Sequence, residues 1–287
     1  MPAIGPLADQ LLRISTPYLF AAAGGVLAER AGVVSLTLEG YVLGGACGAV
    51  FGSFYSGTAI GGVAGAVAVG LALGALHAWS TVRWRADQIV TAVAINLGVV
   101  ALTRYSIRVA FGSSSNSPRV NGWSGSLDNP LVIAGLLVLP ILAIVVSRTR
   151  FGLRLRAVGE SPAAATAAGV SVAGVRWVAV TASGALGALG GAYLALDQHG
   201  FTDEMSAGRG FIALAAVIFG GWRPIRAGLA ALLFAAAEVV QLHLQSHTAV
   251  PSQLVATIPY VVTLVALVSL VGRSIPPAAL GGRGGRD

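Results

Sequence analysis

FGLRLRAVGESPAAATAAGVSVAGVR, residues Phe151 to Arg176, separates two long apolar runs, one ending near Ser147 and the next beginning near Trp177. It carries Arg154, Arg156, Glu160 and Arg176, a turn-forming Gly159 shortly before Pro162, and a helix stop at Gly169. A basic, folded loop set between apolar runs is what a membrane machine needs to grip a soluble partner. That partner would be an engine the chain itself lacks.

Outward from this loop the chain is apolar. It is 55% hydrophobic and 10% charged over 287 residues, with mean hydropathy +0.80, against roughly a quarter charged in ordinary globular domains. Apolar runs bounded by Arg, Pro or Gly fall near 11–28, 38–55, 59–82, 87–104, 131–147, 176–196, 210–221, 227–245 and 254–272. Most approach the ~20 residues that cross a hydrocarbon core of roughly 30 Å. The run 210–221 reaches only about 18 Å at a helical rise of ~1.5 Å per residue. The expected fold is an all-α polytopic membrane protein of about nine transmembrane helices. Residues 1–287 form one domain, with a broken helix near 29–40, a short helix near 210–221 and a cytoplasmic loop 148–176.

All 18 basic residues are arginine, the pattern of a GC-rich bacterial genome. Without lysine there is no Walker A loop, whose Lys must reach the nucleotide phosphates, so the chain does not hydrolyse ATP by that route. The single Cys47 excludes a disulfide framework and a Cys-based metal site. His77, His199, His243 and His247 lack ligand-like spacing and read as packing or interfacial histidines. No positive n-region precedes a short apolar stretch, so no signal peptide is expected.

With loop 148–176 inside and every run crossing, Arg30, Arg83, Arg85, Arg148, Arg150, Arg154, Arg156, Arg176, Arg223, Arg226, Arg273, Arg283 and Arg286 are cytoplasmic. Arg13, Arg104, Arg108, Arg119 and Arg209 are outside. The positive-inside rule then puts the N-terminus outside and the C-terminus inside the bacterial cytoplasmic membrane. Tyr105 to Pro130, rich in Ser, Asn and Gly, reads as the longest outside loop.

Glycines recur at four-residue steps: Gly44, Gly48 and Gly52; Gly61 and Gly65; Gly70 and Gly74; Gly187 and Gly191. Such steps allow the close backbone approach by which helices associate in lipid. Polar residues within the runs must face protein or water. Glu238, Gln241 and Gln245 share one helical face, and Gln88, Thr91 and Thr103 share another with Asn96 at its margin. Each residue alone fits helix packing; the two faces together favour a polar interior pathway. Gly32 and Gly40 bracket a segment ending at Glu39, which reads either as a broken helix at membrane depth or as an interfacial turn.

ERAGVVSLTLEG at 29–40, RADQIVTAVAINL at 85–97, FGLRLRAVGESPAAATAAGV at 151–170 and MSAGRGFIALAAVIFGGWRP at 205–224 occur in this order. From about Pro17 to Arg273 the chain closely resembles the permease subunits of bacterial ABC importers for simple sugars and nucleosides, the ribose-permease-like superfamily. The resemblance is closest to the shorter permease of nucleoside-type systems. One departure stands out: Ser35-Leu36-Thr37 occupies the place of the family's usual Asn-Ile-Gly.

The resemblance implies half of a translocation path, completed by a second homologous permease as a heterodimer. It also implies ATPase subunits holding ATP-Mg on the cytoplasmic side and a solute-binding lipoprotein outside. No cofactor on this chain, no nucleic acid and no covalent chemistry are expected. The coupling region would comprise Arg154, Arg156, Gly159, Glu160, Ser161, Pro162, Ala164 and Gly169, with a short helix around Ser161 to Ala168 seated in an ATPase groove. Candidate pathway residues are Glu39, Gln88, Asn96, Glu238 and Gln241. Rival readings are a proton-coupled secondary transporter using Glu238 or Glu39, a membrane scaffold, and a branched-chain amino-acid ABC permease.

Overall fold

The computed structural model describes residues 4–113, 115–123, 125, 128–247, 257, 261 and 275–282. Ten α-helices run in the order α1 (Ile4–Arg30), α2 (Leu38–Ser56), α3 (Ala59–Ala78), α4 (Gln88–Phe111), α5 (Pro130–Arg148), α6 (Arg150–Glu160), α7 (Pro162–Ala167), α8 (Val172–Asp197), α9 (Arg209–Phe219) and α10 (Pro224–His247). A π-helical turn, Trp79–Arg83, extends α3. No strand occurs among the described residues, only an isolated bridge between Asn116 and Thr202.

Among the described residues six helices are long and apolar enough to cross a membrane: α1, α3 with its π turn, α4, α5, α8 and α10. The glycine-rich α2 is a further helix of 19 residues. The run 254–272 lies almost wholly outside the described residues, so nine full helices are not reproduced there. The short ninth helix has a physical explanation. Asp197, at the end of α8, pairs with Arg13 at 2.8 Å, whereas Trp222, just beyond α9, accepts a 2.8 Å hydrogen bond from Arg30. Arg13 and Arg30 lie about 26 Å apart along α1 at ~1.5 Å per residue. The chain between α8 and α10 therefore traverses the bundle, first as irregular backbone over 198–208 and then as α9.

The centre is built by backbone contact. On α2 and α3, a Cβ on Gly48 would stand 2.8 Å from the Gly65 carbonyl oxygen. On α8, a Cβ at Gly191 would overlap the Val42 carbonyl oxygen, and one at Gly184 that of Gly70. The four-residue glycine steps thus form one seam joining α2, α3 and α8. At the periphery, α4 turns Ala92, Ile95, Val99, Thr103 and Ile107 inward and exposes Val90, Leu97, Leu102 and Val109. That outward apolar stripe is the face a lipid-embedded helix presents.

The segment 148–176 is helical rather than looped. Thr149 caps α6 by accepting from the Gly152 N–H at 3.0 Å, and Gly152, Leu155, Val158 and Gly159 form its buried stripe. Gly159 is not a turn residue. It lies inside α6, where a side chain would collide with the Arg30 carbonyl oxygen. Ser161 caps α7 by accepting from the Ala164 N–H at 3.3 Å, Pro162 supplies a fixed φ at its first position, and Gly169 at φ +77° ends it. The connection Tyr105 to Pro130 also differs from a solvated loop. Its first residues extend α4 to Phe111, and Val120 is buried, its N–H donating to the His199 carbonyl oxygen at 2.9 Å.

Candidate functional site

Between α1 and α2 the chain leaves helical form over 31–37, and its freed backbone groups need partners away from water. Side chains supply them. Asn96 on α4 spans the break: its Nδ2 donates to the Leu36 carbonyl oxygen at 2.9 Å, and its Oδ1 accepts from the Gly40 N–H at 2.9 Å. Gln88 accepts from the Val34 N–H at 2.8 Å. Glu29 is buried, accepting from the Ser35 N–H at 3.2 Å, the Ser35 hydroxyl at 3.0 Å and the Trp222 indole N–H. The Thr37 Oγ1 and the Tyr41 hydroxyl each lie 2.9 Å from His77 Nδ1, which makes His77 a packing histidine. Ser35-Leu36-Thr37, the departure from the usual motif, thus serves to fasten the break.

Glu39 sits on the first turn of α2 and reaches the opening of α9. Its two oxygens accept from the Gly208 N–H at 2.9 Å and the Gly210 N–H at 2.8 Å. A carboxylate facing a helix N-terminus satisfies free N–H groups and meets the positive end of the helix dipole. The packing is close enough that a Cβ on Gly210 would collide with the Glu39 backbone nitrogen. Glu39 therefore joins two discontinuous helices instead of projecting an unused carboxylate.

Glu238 on α10 accepts from the Tyr18 hydroxyl of α1 and lies 3.4 Å from Arg209 Nη2 of α9. These residues come from three helices, and none faces lipid as an isolated polar group. Gln241, one turn further along α10, is partly buried, and Gln245 is exposed. Arg209 begins α9, and its side chain is 21% exposed between α1 and α10. Neither Tyr18 nor Arg209 stands out in the sequence as a pathway residue: Tyr18 sits in an unremarkable apolar run, and Arg209 reads only as one of the outside arginines. The Met-Ser-Ala-Gly-Arg-Gly motif was the available signal for Arg209.

At the arginine-rich end, α6 and α7 present an uneven surface. Arg154, Glu160, Ser161, Ala164 and Gly169 are exposed, Pro162 and Arg156 are half-buried, and Gly159 is buried. Arg156 Nε donates to the Gly152 carbonyl oxygen at 3.4 Å, within its own helix. Only Ala165 of α7 is buried, so its small side chains remain open. The C-terminal segment fastens this unit from behind, the Ala279 N–H donating to the Gly159 carbonyl oxygen at 2.9 Å. Among the described residues no His/Cys/Asp/Glu cluster could hold a metal ion.

The chain matches the family described as "Branched-chain amino acid transport system / permease component" over residues 7–268. It is 37% identical to the nucleoside ABC transporter permease protein NupC of Lactococcus lactis, covering 94% of both chains. It is 34% identical to the guanosine ABC transporter permease protein NupQ of Bacillus subtilis, covering 93% of this chain and 92% of that one. A solved metal-chelate type ABC transporter in an inward-facing conformation superposes with TM-score 0.55 at 17% identity, over 92% of this chain and 86% of that one, and so shares the fold. The chain therefore belongs to the branched-chain amino acid transport system / permease component family.

Proposed function

We propose that this permease subunit forms half of the translocation path of an ABC importer for a nucleoside, driven by a separate ATPase that holds ATP-Mg. The observation that carries the reading is the α6–α7 unit: an exposed short helix of small residues mounted on a helix clamped against the end of α1. Motion delivered to α7 has a packed route, through Gly159 and the Arg30 carbonyl oxygen, to the break at 31–37. Such rigid-body transmission is what alternating access requires. Arg154, Glu160, Ser161 and Ala164 would face the ATPase, with Pro162 and Gly169 setting the ends of the docking helix.

A second homologous permease would complete the path, and an extracytoplasmic lipoprotein would deliver substrate. The single domain would cross the bacterial cytoplasmic membrane nine times, with the N-terminus outside. Arg30, Arg83, Arg148 and Arg223, at helix ends on the α6–α7 side, support that orientation. The two relatives described above, at 37% and 34% identity, carry nucleoside and guanosine names, and this favours a nucleoside over a free sugar. Glu238, engaged by Arg209 and Tyr18, and Glu39, engaged by backbone N–H groups, support structural roles in the path over proton carriage.

ATPase activity of the purified complex, measured with its binding protein loaded with guanosine, adenosine, ribose or leucine, tests this. Stimulation by nucleosides alone is expected. Stimulation only by ribose or by leucine would replace the substrate assignment, and none by any of them would remove it.

A further inference from the structure

At the arginine-rich end, α3 does not stop as an ordinary helix but widens into the π turn Trp79–Arg83. The Trp84 N–H donates to the Trp79 carbonyl oxygen, five residues back, at 3.2 Å. In an α-helix two residues five apart point about 140° from each other around the axis. The wider turn instead brings the rings of Trp79 and Trp84 together, their centroids 5.1 Å apart. Both rings are exposed, as is that of Trp177 on the second turn of α8.

Trp79 and Trp177 line a groove of about 760 Å³ between the end of α3 and the start of α8, together with Arg83 and Arg85. Both arginines are exposed, and the chain holds Arg85 at φ +55°, a left-handed conformation uncommon for residues other than glycine. The ion pairs among the described residues engage Arg13, Arg104 and Arg209, so no carboxylate neutralises either groove arginine there. Asp87, the acidic residue nearest to them in sequence, does not line the groove. Its Oδ1 caps α4, accepting from the Ile89 and Val90 N–H groups at 2.9 and 3.1 Å. The groove is therefore positive, edged by tryptophan, and set between the ends of two helices long enough to cross a membrane.

These properties select one kind of occupant. Tryptophan concentrates at the depth where acyl chains meet headgroups. Basic pockets between membrane helices hold acidic headgroups. We propose that the groove binds one anionic phospholipid of the leaflet on the α6–α7 side, its phosphate between Arg83 and Arg85 and its acyl chains along Trp79 and Trp177. Val82, Arg85 and Ala173 also line a second cavity, which reaches Pro162, Ala163 and Thr166 of α7. The bound headgroup thus borders the helix offered to the ATPase. The proposal needs only that α3 and α8 cross the membrane and is independent of the transported substrate.

The test adds dioleoylphosphatidylglycerol or dioleoylphosphatidylcholine to the delipidated importer complex in detergent and counts retained lipids by native mass spectrometry. Phosphatidylglycerol is expected to fill the site at the lower concentration. Arg83→Gln combined with Arg85→Asn, the asparagine chosen because it tolerates a left-handed backbone, should raise its half-saturation about thirtyfold, the scale of two arginines beside an acidic headgroup. Each single substitution should give an intermediate shift, which decides the matter if the double variant fails to assemble. Trp79→Leu should weaken both lipids alike. Arg148→Gln with Arg150→Gln, exposed arginines outside the groove, should change nothing. Equal retention of the two lipids would overturn the headgroup selection, and an equal loss in the Arg148 and Arg150 variant would reduce it to general surface charge. Displacement of phosphatidylglycerol by millimolar inorganic phosphate would make the groove a free-anion site and overturn the lipid.

Discussion

The seam between α2, α3 and α8 and the joint where α2 meets α9 lie side by side but are held by different forces. The seam is dry and made of glycine, with backbone oxygens where side chains would otherwise stand. The joint is irregular backbone fastened by Glu39, Asn96, Gln88 and Glu29. In lipid the first arrangement gains from close packing along the whole contact and tolerates no added volume. The second rests on a few directional bonds, each of which can be exchanged for another when the helices shift. The seam is built as a scaffold, and under the proposed function the joint is the part expected to move.

The largest expected effect comes from breaking the seam. Gly191→Leu forces a side chain through the Val42 carbonyl oxygen, and no rotamer relieves a clash with backbone. Overpacking typically costs about 1–3 kcal/mol where neighbours can yield and more where they cannot. Loss of monodisperse protein after detergent extraction is expected; a well-behaved variant with unchanged Tm would mean the seam is looser than described.

Next in size is Glu39→Ala, which leaves the Gly208 and Gly210 N–H groups without their acceptor at about 1–3 kcal/mol each. The Tm should fall and transport should fail together. Glu39→Gln keeps one acceptor and should recover part of both; if alanine and glutamine behave alike, the carboxylate does not hold α9.

Asn96→Leu removes two hydrogen bonds across the break, whereas Asn96→Asp keeps the acceptor for Gly40 and loses the donor to Leu36. Transport should decline in the order wild type, Asp, Leu, with the complex intact in all three. Glu238→Leu should similarly insert and assemble yet impair uptake, because Arg209 and Tyr18 lose their common partner. Loss of assembly before loss of uptake would make Glu238 part of the scaffold.

The smallest effect on stability, within about 0.5 kcal/mol, is expected from Glu160→Ala, an exposed position. Combined with Arg156→Ala it should nonetheless weaken ATPase docking, because charged contacts position such interfaces. Co-purification of the ATPase, read beside Tm, separates the two effects, and undiminished substrate-stimulated ATPase would remove α6 from the coupling route.

The amino-acid sequence by itself determined the apolar runs, the arginine bias of one end and the glycine steps, while the small helix after Ser161 came from the family resemblance. These signals are local: hydropathy, composition and four-residue spacing are read within one segment, and most described helices overlap the runs those signals place, although α1 and α4 extend well beyond theirs. Only the tertiary structure decided what the polar residues do. Glu39 meets residues 169 and 171 positions away, and Glu238 meets Tyr18 across 220. Helical periodicity shows which face a carboxylate occupies but not which distant backbone N–H or hydroxyl will approach it. Gly159 shows the same limit. Its sequence neighbourhood fits a turn, while its real constraint is the Arg30 carbonyl oxygen of another helix, whose arrival depends on how α1 and α6 pack.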